Sequence, residues 1–532
     1  IPVSPKRLRR FYEAVKFEEA LSEACLKSPN SPGRVPSDPP PDRSYDPEGG
    51  FRFFINKLAH VCDIHRGGST VTGIAVLQDF DGVRYFIGSN ERSEIDLAKV
   101  EEFLRSLFRL LRGTRRHGEP LNSDPLFVSI FHHIINFNQP RIRKYLDWLT
   151  RQIPSCLSSL QRDFAQVSDT SEPDLRAFLV ELQSLVTRFE DARVRDHVKG
   201  IRCCASIIEY VDAQRAKSMS GIILAMSREN TINPATTWCD LRHNMARLKA
   251  YNVSTKSIIS AYNFWPELFQ EDIHMEMVPS SRPHPNPLRR LDTTAAAMLG
   301  RMVADDAEIE LRRAEAEQLK QFNLDGILHK ACARKSFTPL VHGEVLVHDA
   351  ARTYLLENPG VTYWKNWRFV GSSKPTCRLC SYYFSCINDV TVRESHRILY
   401  SRWRVPDVFD ERAAKARDEI LDSIAKKIRQ DALQTMRSKL PQGRNNDSSS
   451  FPTVPRFFAR AAIKSSQSSN RGVAPVVEFG HGSNSTSSYE HASEDLLVEM
   501  MERQTFTASF EDDEDDDDEN GGVLLFSGRG SR

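Results

Sequence analysis

His342-Gly343-Glu344 and, further along, Cys377-Arg378-Leu379-Cys380 decide how this chain is read. They supply one imidazole, two thiols at a chelating spacing, and a carboxylate two positions from the imidazole. Thiolate and imidazole are donors that suit zinc. A Cys-x-x-Cys at a helix start brings two sulfurs within reach of one ion, and the positive helix end favours the thiolate that binds metal. Three protein ligands, His342, Cys377 and Cys380, leave a fourth tetrahedral position open, as catalytic zinc sites do. On an ideal helix a two-residue step turns by about 200°. Glu344 is therefore expected to stay off the ion and act as the acid/base beside it.

Outward from this motif, helix and strand signals alternate. Residues 341–356 read as a helix ended by Asn358-Pro359-Gly360, 367–371 as a short apolar strand, and 377–386 as a second helix. Residues 398–404 read as a strand stopped by Pro406, and 409–438 as a charged amphipathic helix. Near the start of the chain, 5–27 has a helical pattern, and 29–50, with Pro39-Pro40-Pro41 and Gly49-Gly50, reads as a linker. Phe54, Ile55, Leu58, Ala59 and Cys62 recur at helical spacing within 51–65, which Gly67-Gly68 stops. Two β-rich runs, 71–77 and 83–87, flank Asp81-Gly82 and predict a hairpin that ends near Asn90. Helical patterns then follow one another at 94–112, 126–137, 140–151, 173–192, 195–216, 238–250 and 286–322. They make 93–335 an all-α block without an alignable repeat. Beyond Pro441 the chain is rich in Ser, Asn, Gly and acidic residues and reads as a disordered tail, with a short amphipathic piece near 494–503.

Composition bounds the function classes. Hydrophobic residues make up 40% of the chain and charged residues 27%, which excludes wholesale disorder. The net charge of +1 hides an asymmetry, because Glu511 to Glu519 is an unbroken acidic run and the body of the chain is therefore net basic. A basic body permits a phosphate-bearing partner and is weak evidence for one. The acidic run reads as a solvated tail. Ten cysteines in 532 residues do not make a disulfide framework. Buried free thiols in a reducing compartment explain them better, which predicts an intracellular, cytoplasmic or nuclear, setting. No run of apolar residues is long enough for a membrane span.

His-x-Glu followed by a Pro-proximal Cys-x-x-Cys resembles the signature of the zinc-dependent nucleoside, nucleotide and nucleic-acid deaminase superfamily. Residues 337–404, with Gly371-Ser372-Ser373-Lys374-Pro375-Thr376-Cys377 and Ser395-His396-Arg397-Ile398-Leu399-Tyr400, look most like a divergent branch of deaminases found largely in fungi. The resemblance implies His342, Cys377 and Cys380 as zinc ligands and Glu344 as general acid/base. It also implies attack by water on the amine-bearing carbon of a cytosine- or adenine-like base in a nucleotide or nucleic acid. The superfamily core begins helix, strand, turn, strand, His-x-Glu helix, the order of 51–90. The resemblance therefore predicts one cytidine deaminase-like, three-layer α/β core with a mixed or mostly parallel sheet. The first part lies at 51–92 and the zinc-binding part at 336–440, with the all-α insertion, 93–335, between them. Residues 1–50 precede it as helix and linker, and 441–532 follow as tail. Asn90, near the end of the second strand, becomes a candidate substrate contact. Two departures stand out: Thr376 separates Pro375 from Cys377, and Gly343 replaces the usual Ala or Val, which predicts a looser first helical turn.

Blander readings compete with each feature. A zinc knuckle of Cys377, Cys380, Cys386 and His396 would leave His342 and Glu344 without a role. A catalytically silent deaminase-like scaffold would use zinc for folding, with the helical block binding a protein partner. His348 reads as a core or surface histidine, Tyr382, Tyr383 and Phe384 as core aromatics rather than base-stacking groups, and His132-His133 carry no assigned role.

Overall fold

The computed structural model describes residues 1–27, 46–113, 124–164, 172–213, 219–227, 236–288, 293–303, 305–333, 337–440 and 457. The expected tail, its amphipathic piece and the acidic run lie outside these residues, apart from Phe457. Helix α1 spans Pro5–Lys27 and α2 spans Pro47–Cys62. Asp46 starts α2 by accepting from Gly49 N at 2.6 Å, with Pro47 at the first position, so the expected linker ends before residue 50. Strands β1, Thr72–Asp79, and β2, Gly82–Ser89, form the hairpin. Gly82, at φ 137°, takes a backbone conformation that a side chain would strain.

The helical block follows as α3 (Glu94–Gly113), α4 (Asp124–Phe137), α5 (Gln139–Phe164), α6 (Glu172–Arg195), α7 (His197–Ala213), α8 (Met219–Ser227) and α9 (Thr236–Phe264). It is not all-α. His274–Val278 forms β3, which pairs parallel to β2 from Arg84↔His274 to Gly88↔Val278. The helix expected over 286–322 is two helices, α10 (Ala295–Met302) and α11 (Asp306–Lys320), started by side-chain caps from Thr294 and Asp305. Helix α12 spans Leu324–Ala333.

The rest comprises α13 (Gly343–Glu357), β4 (Thr362–Tyr363), β5 (Phe369–Ser372), α14 (Arg378–Ile387), β6 (Thr391–Val392) and α15 (Glu411–Ser438). The strand expected over 398–404 does not form; an isolated bridge joins Leu340 to Trp403. The sheet order is β3-β2-β1-β5-β6, with β4 also on β1. β1 runs antiparallel to β2, β4 and β5, while β2–β3 and β5–β6 are parallel, so the sheet is mixed.

Alternation along β1 directs Ile74 and Val76 to one face and Ala75 and Leu77 to the other. The first pair joins a large core with α2 and the helical block, including Phe54, Phe108 and Trp265. The second pair joins Val347 and Ala351 of α13, Phe86 and Val370. Helices thus cover both faces. A third core gathers Phe11, Tyr12 and Leu21 of α1 with Leu379 and Tyr383 of α14, Trp403, and Leu421 and Ile424 of α15. The N-terminal helix is accordingly packed against the last described helix. None of the helices in the described residues is long and apolar enough to cross a membrane.

Candidate metal centre

His342 occupies the position before the first turn of α13, at φ −72° and ψ 151°, and its side chain does not cap the helix. Its Nδ1 instead lies 3.5 Å from Cys377 Sγ and 3.4 Å from Cys380 Sγ. Cys377 holds the corresponding position before α14, but its side chain does cap, with Sγ accepting from Cys380 N at 3.4 Å. The three donor atoms lie within 4.8 Å of one another and all three residues are buried. Tetrahedral bonds of about 2.3 Å to sulfur and about 2.0 Å to nitrogen place N and S about 3.5 Å apart, so both N–S distances match those of a zinc site. Two helix N-termini face the cluster, as an anionic donor set requires.

Burial pushes the Cys377 thiol up, but the hydrogen bond with Cys380 and the neighbouring His342 outweigh it and leave Cys377 well below the ordinary thiol range. Burial together with the hydrogen bond to Cys377 raises Cys380. For His342, burial lowers the imidazole, and contact with Cys377 more than reverses this. A bound ion would displace protons from these donors.

Glu344, in the first turn of α13, is 3% exposed. Burial raises its carboxyl, which also contacts the Cys380 thiol. Because His342 is extended rather than helical, the 200° step does not separate it from Glu344, and both side chains face the cysteines. Asn90 reaches the same helix end. Its Oδ1 accepts from Gly343 N at 2.7 Å and its Nδ2 donates to Gly68 O at 2.7 Å, so it caps α13 in place of His342.

Gly343 does not loosen this turn. A Cβ there would lie 2.9 Å from Val71 O and 3.1 Å from Gly88 O, and one at Gly73 would lie 2.7 Å from Gly343 O. Glycine at both positions lets the helix end rest directly on the strand backbones. Thr376, the extra residue before Cys377, is absorbed by pairing with 394–396: Thr376 N donates to Glu394 O at 3.2 Å, and His396 N donates to Thr376 O at 3.1 Å.

Cys386 and His396 are not in the cluster. The His396 Nδ1 accepts from Ile398 N at 2.9 Å, so the knuckle set is not assembled among the described residues. His348 is a buried histidine whose Nε2 lies 2.9 Å from Asp389 Oδ1. Tyr383 and Phe384 are in the core, and Tyr382 donates to Asp431 at 2.7 Å. His133 meets Ser106 Oγ at 2.8 Å, within the helical block.

Sequence reasoning missed the residues that brace the cysteines. Asp63, fully buried, accepts from Thr70 Oγ1 at 2.6 Å and from Ser373 Oγ at 3.0 Å, and pairs with Arg141 of α5 at 2.7 Å. Arg378, between the two cysteines, pairs with Glu18 of α1 at 2.8 Å. A charged residue inside Cys-x-x-Cys was a visible signal, but its partner was not.

Fold and site together define a mixed α/β protein with a buried His/Cys/Cys cluster suited to a metal ion. A family model described as an OTT_1508_deam-like deaminase matches residues 341–407, the span that carries His342, Glu344, Cys377 and Cys380. No curated protein and no solved structure matches the chain.

Proposed function

We propose that this protein is a zinc-dependent hydrolytic deaminase acting on a base in a nucleotide or a nucleic acid. The observation that carries the reading is the convergence of His342 Nδ1, Cys377 Sγ and Cys380 Sγ inside the deaminase-matched span, with Glu344 buried against them. His342, Cys377 and Cys380 would hold zinc, whose Lewis acidity, when bound, makes water nucleophilic near neutral pH. Glu344 would accept a proton from the attacking water at a carboxylate oxygen and return it to the departing amine nitrogen. A C–O bond forms, the C–N bond breaks, and the products are the oxo base and ammonia.

We further propose that 51–92 and 336–440 form one core divided by the helical block. The pairing of β1 with β5 and the bond from Gly343 N to Asn90 Oδ1 support it. Asn90, with both amide atoms on backbone groups, then acts by setting the α13 end rather than by reading a substrate. All ten cysteines are free, which supports an intracellular setting.

The burial of the site favours one competitor. His342 is 8% and Glu344 3% exposed, which suits a zinc scaffold without turnover whose helical block serves a protein partner. The purified chain loaded with zinc, offered nucleosides, nucleotides and single-stranded nucleic acids, separates the two by ammonia release. Glu344→Gln should keep its zinc and lose about 10²–10⁴-fold in turnover. Undiminished turnover would refute the assigned role, and stoichiometric zinc with no product from any substrate would favour the scaffold.

A further inference from the structure

Arg378 sits between the two cysteines yet is buried, and its polar contacts lead away from the cluster to α1, α15 and the 397–398 segment. Its Nη1 donates to Glu18 Oε1 of α1 at 2.8 Å and lies 3.7 Å from Asp431 Oδ2 of α15. Its Nε donates to Arg397 O at 2.9 Å, and its backbone N to Ile398 O at 3.0 Å. Arg397 takes φ 63°, a left-handed conformation that a non-glycine residue adopts only when its surroundings impose it. The His396 ring holds that turn by accepting from Ile398 N. Asp431 is fixed in turn by the Tyr382 hydroxyl of α14.

Glu18 is fully buried, and desolvation raises its carboxyl further than Arg378 pulls it down. A buried pair of this kind contributes little to stability over an apolar replacement. What it does supply is direction, because a planar guanidinium with bonds at Nε and Nη1 cannot rotate.

We infer that Arg378 is a positioning residue for the metal centre, and that α1 and α15, both outside the deaminase-matched span, complete that centre by holding it. The inference rests on the zinc reading above. With the first turn of α14 tied to Glu18 and Arg397, the Cys377 and Cys380 sulfurs stay at the spacing His342 requires. Loosening the tie should widen that spacing and weaken zinc, as loss of groups supporting metal ligands commonly does by about 10–100-fold.

The test uses the full chain. Zinc affinity is measured by competition with a chromophoric chelator, and the cobalt(II) form is read by its ligand-field and thiolate charge-transfer bands, which report geometry rather than folding. Wild-type protein that binds no zinc, or a His342→Ala variant that still binds it stoichiometrically, would sink the zinc reading itself. With wild-type binding established, Arg378→Met and Glu18→Gln should each lose about tenfold or more in affinity and shift the cobalt bands. The double variant, which leaves neither Glu18 nor Arg378 facing a lost partner, should lose no more than the worse single one. Arg378→Lys keeps the charge without the fork and should not restore the bands. Wild-type affinity and wild-type cobalt bands in Glu18→Gln, or in the double variant should Arg378→Met not fold, would overturn the inference.

Discussion

The two ends of the metal centre are held in opposite ways. On the histidine side, the start of α13 rests on β1 and β2 through backbone contacts that Gly73 and Gly343 permit, and Asn90 closes the helix end. Among the described residues, no buried salt bridge holds that end. On the cysteine side, charge does the holding: Arg378 with Glu18 behind α14, and Asp63 with Arg141 and Ser373 on the segment leading into it. The first arrangement tolerates no added atoms. The second tolerates no unpaired charge.

The two charge pairs also differ. Asp63 takes bonds from Thr70 and Ser373, and although burial pushes its carboxyl up, the neighbouring Arg141 and Lys374, the Thr70 bond and Arg92 hold it below the ordinary range. Glu18 has Arg378 as its cation, with the Asp431 carboxylate working against it, and burial prevails. The balance of charges around the carboxylate separates the two pairs.

Arg141→Met is the hardest blow to the contrast. It takes the largest cation contribution from buried Asp63 and should cost about 3–5 kcal/mol in urea unfolding. A loss below about 1 kcal/mol would mean that charge does not hold the cysteine side. Gly73→Ala comes next, since its Cβ would sit 2.7 Å from Gly343 O and 2.8 Å from Glu344 N, both backbone atoms. About 1–3 kcal/mol should be lost, and the stabilisation on adding zinc should shrink with it. An unchanged melting temperature would show that the helix end can retreat.

Asn90→Ala leaves the α13 end uncapped and should cost about 1–2 kcal/mol. Asn90→Asp keeps the acceptor for Gly343 N and should recover much of that, a difference readable in thermal melts. The smallest effect is on the acid limb. A carboxyl held low contributes stability that is intact above its unfolded value of about 3.9 and is lost as pH falls through its folded value. Asp63→Asn should therefore flatten the fall in stability below about pH 4, and Asn90→Ala should leave that slope alone.

Most helices were legible because their apolar residues recur at the helical period over several turns. The exceptions have local causes. His274–Val278 is too short for its alternation to stand out, and it is a strand because β2 offers it a parallel edge. Helix α11 begins anew because the Asp305 side chain caps it. Helix α9 runs past Ala250 through Val253, Ser254 and Thr255, residues of modest helix propensity, because α2, α5 and α7 pack against it.

The sequence by itself determined the donor set and the two helix starts that present it. Those follow from short spacings, and a spacing of two or three residues survives in any fold that makes a helix there. Only the tertiary structure decided what holds the donors in place. Gly73 meets Gly343, Arg141 meets Asp63 and Glu18 meets Arg378 across long separations in the chain. Close approach and charge pairing leave no periodic trace in sequence, because each depends on where two distant segments come to rest.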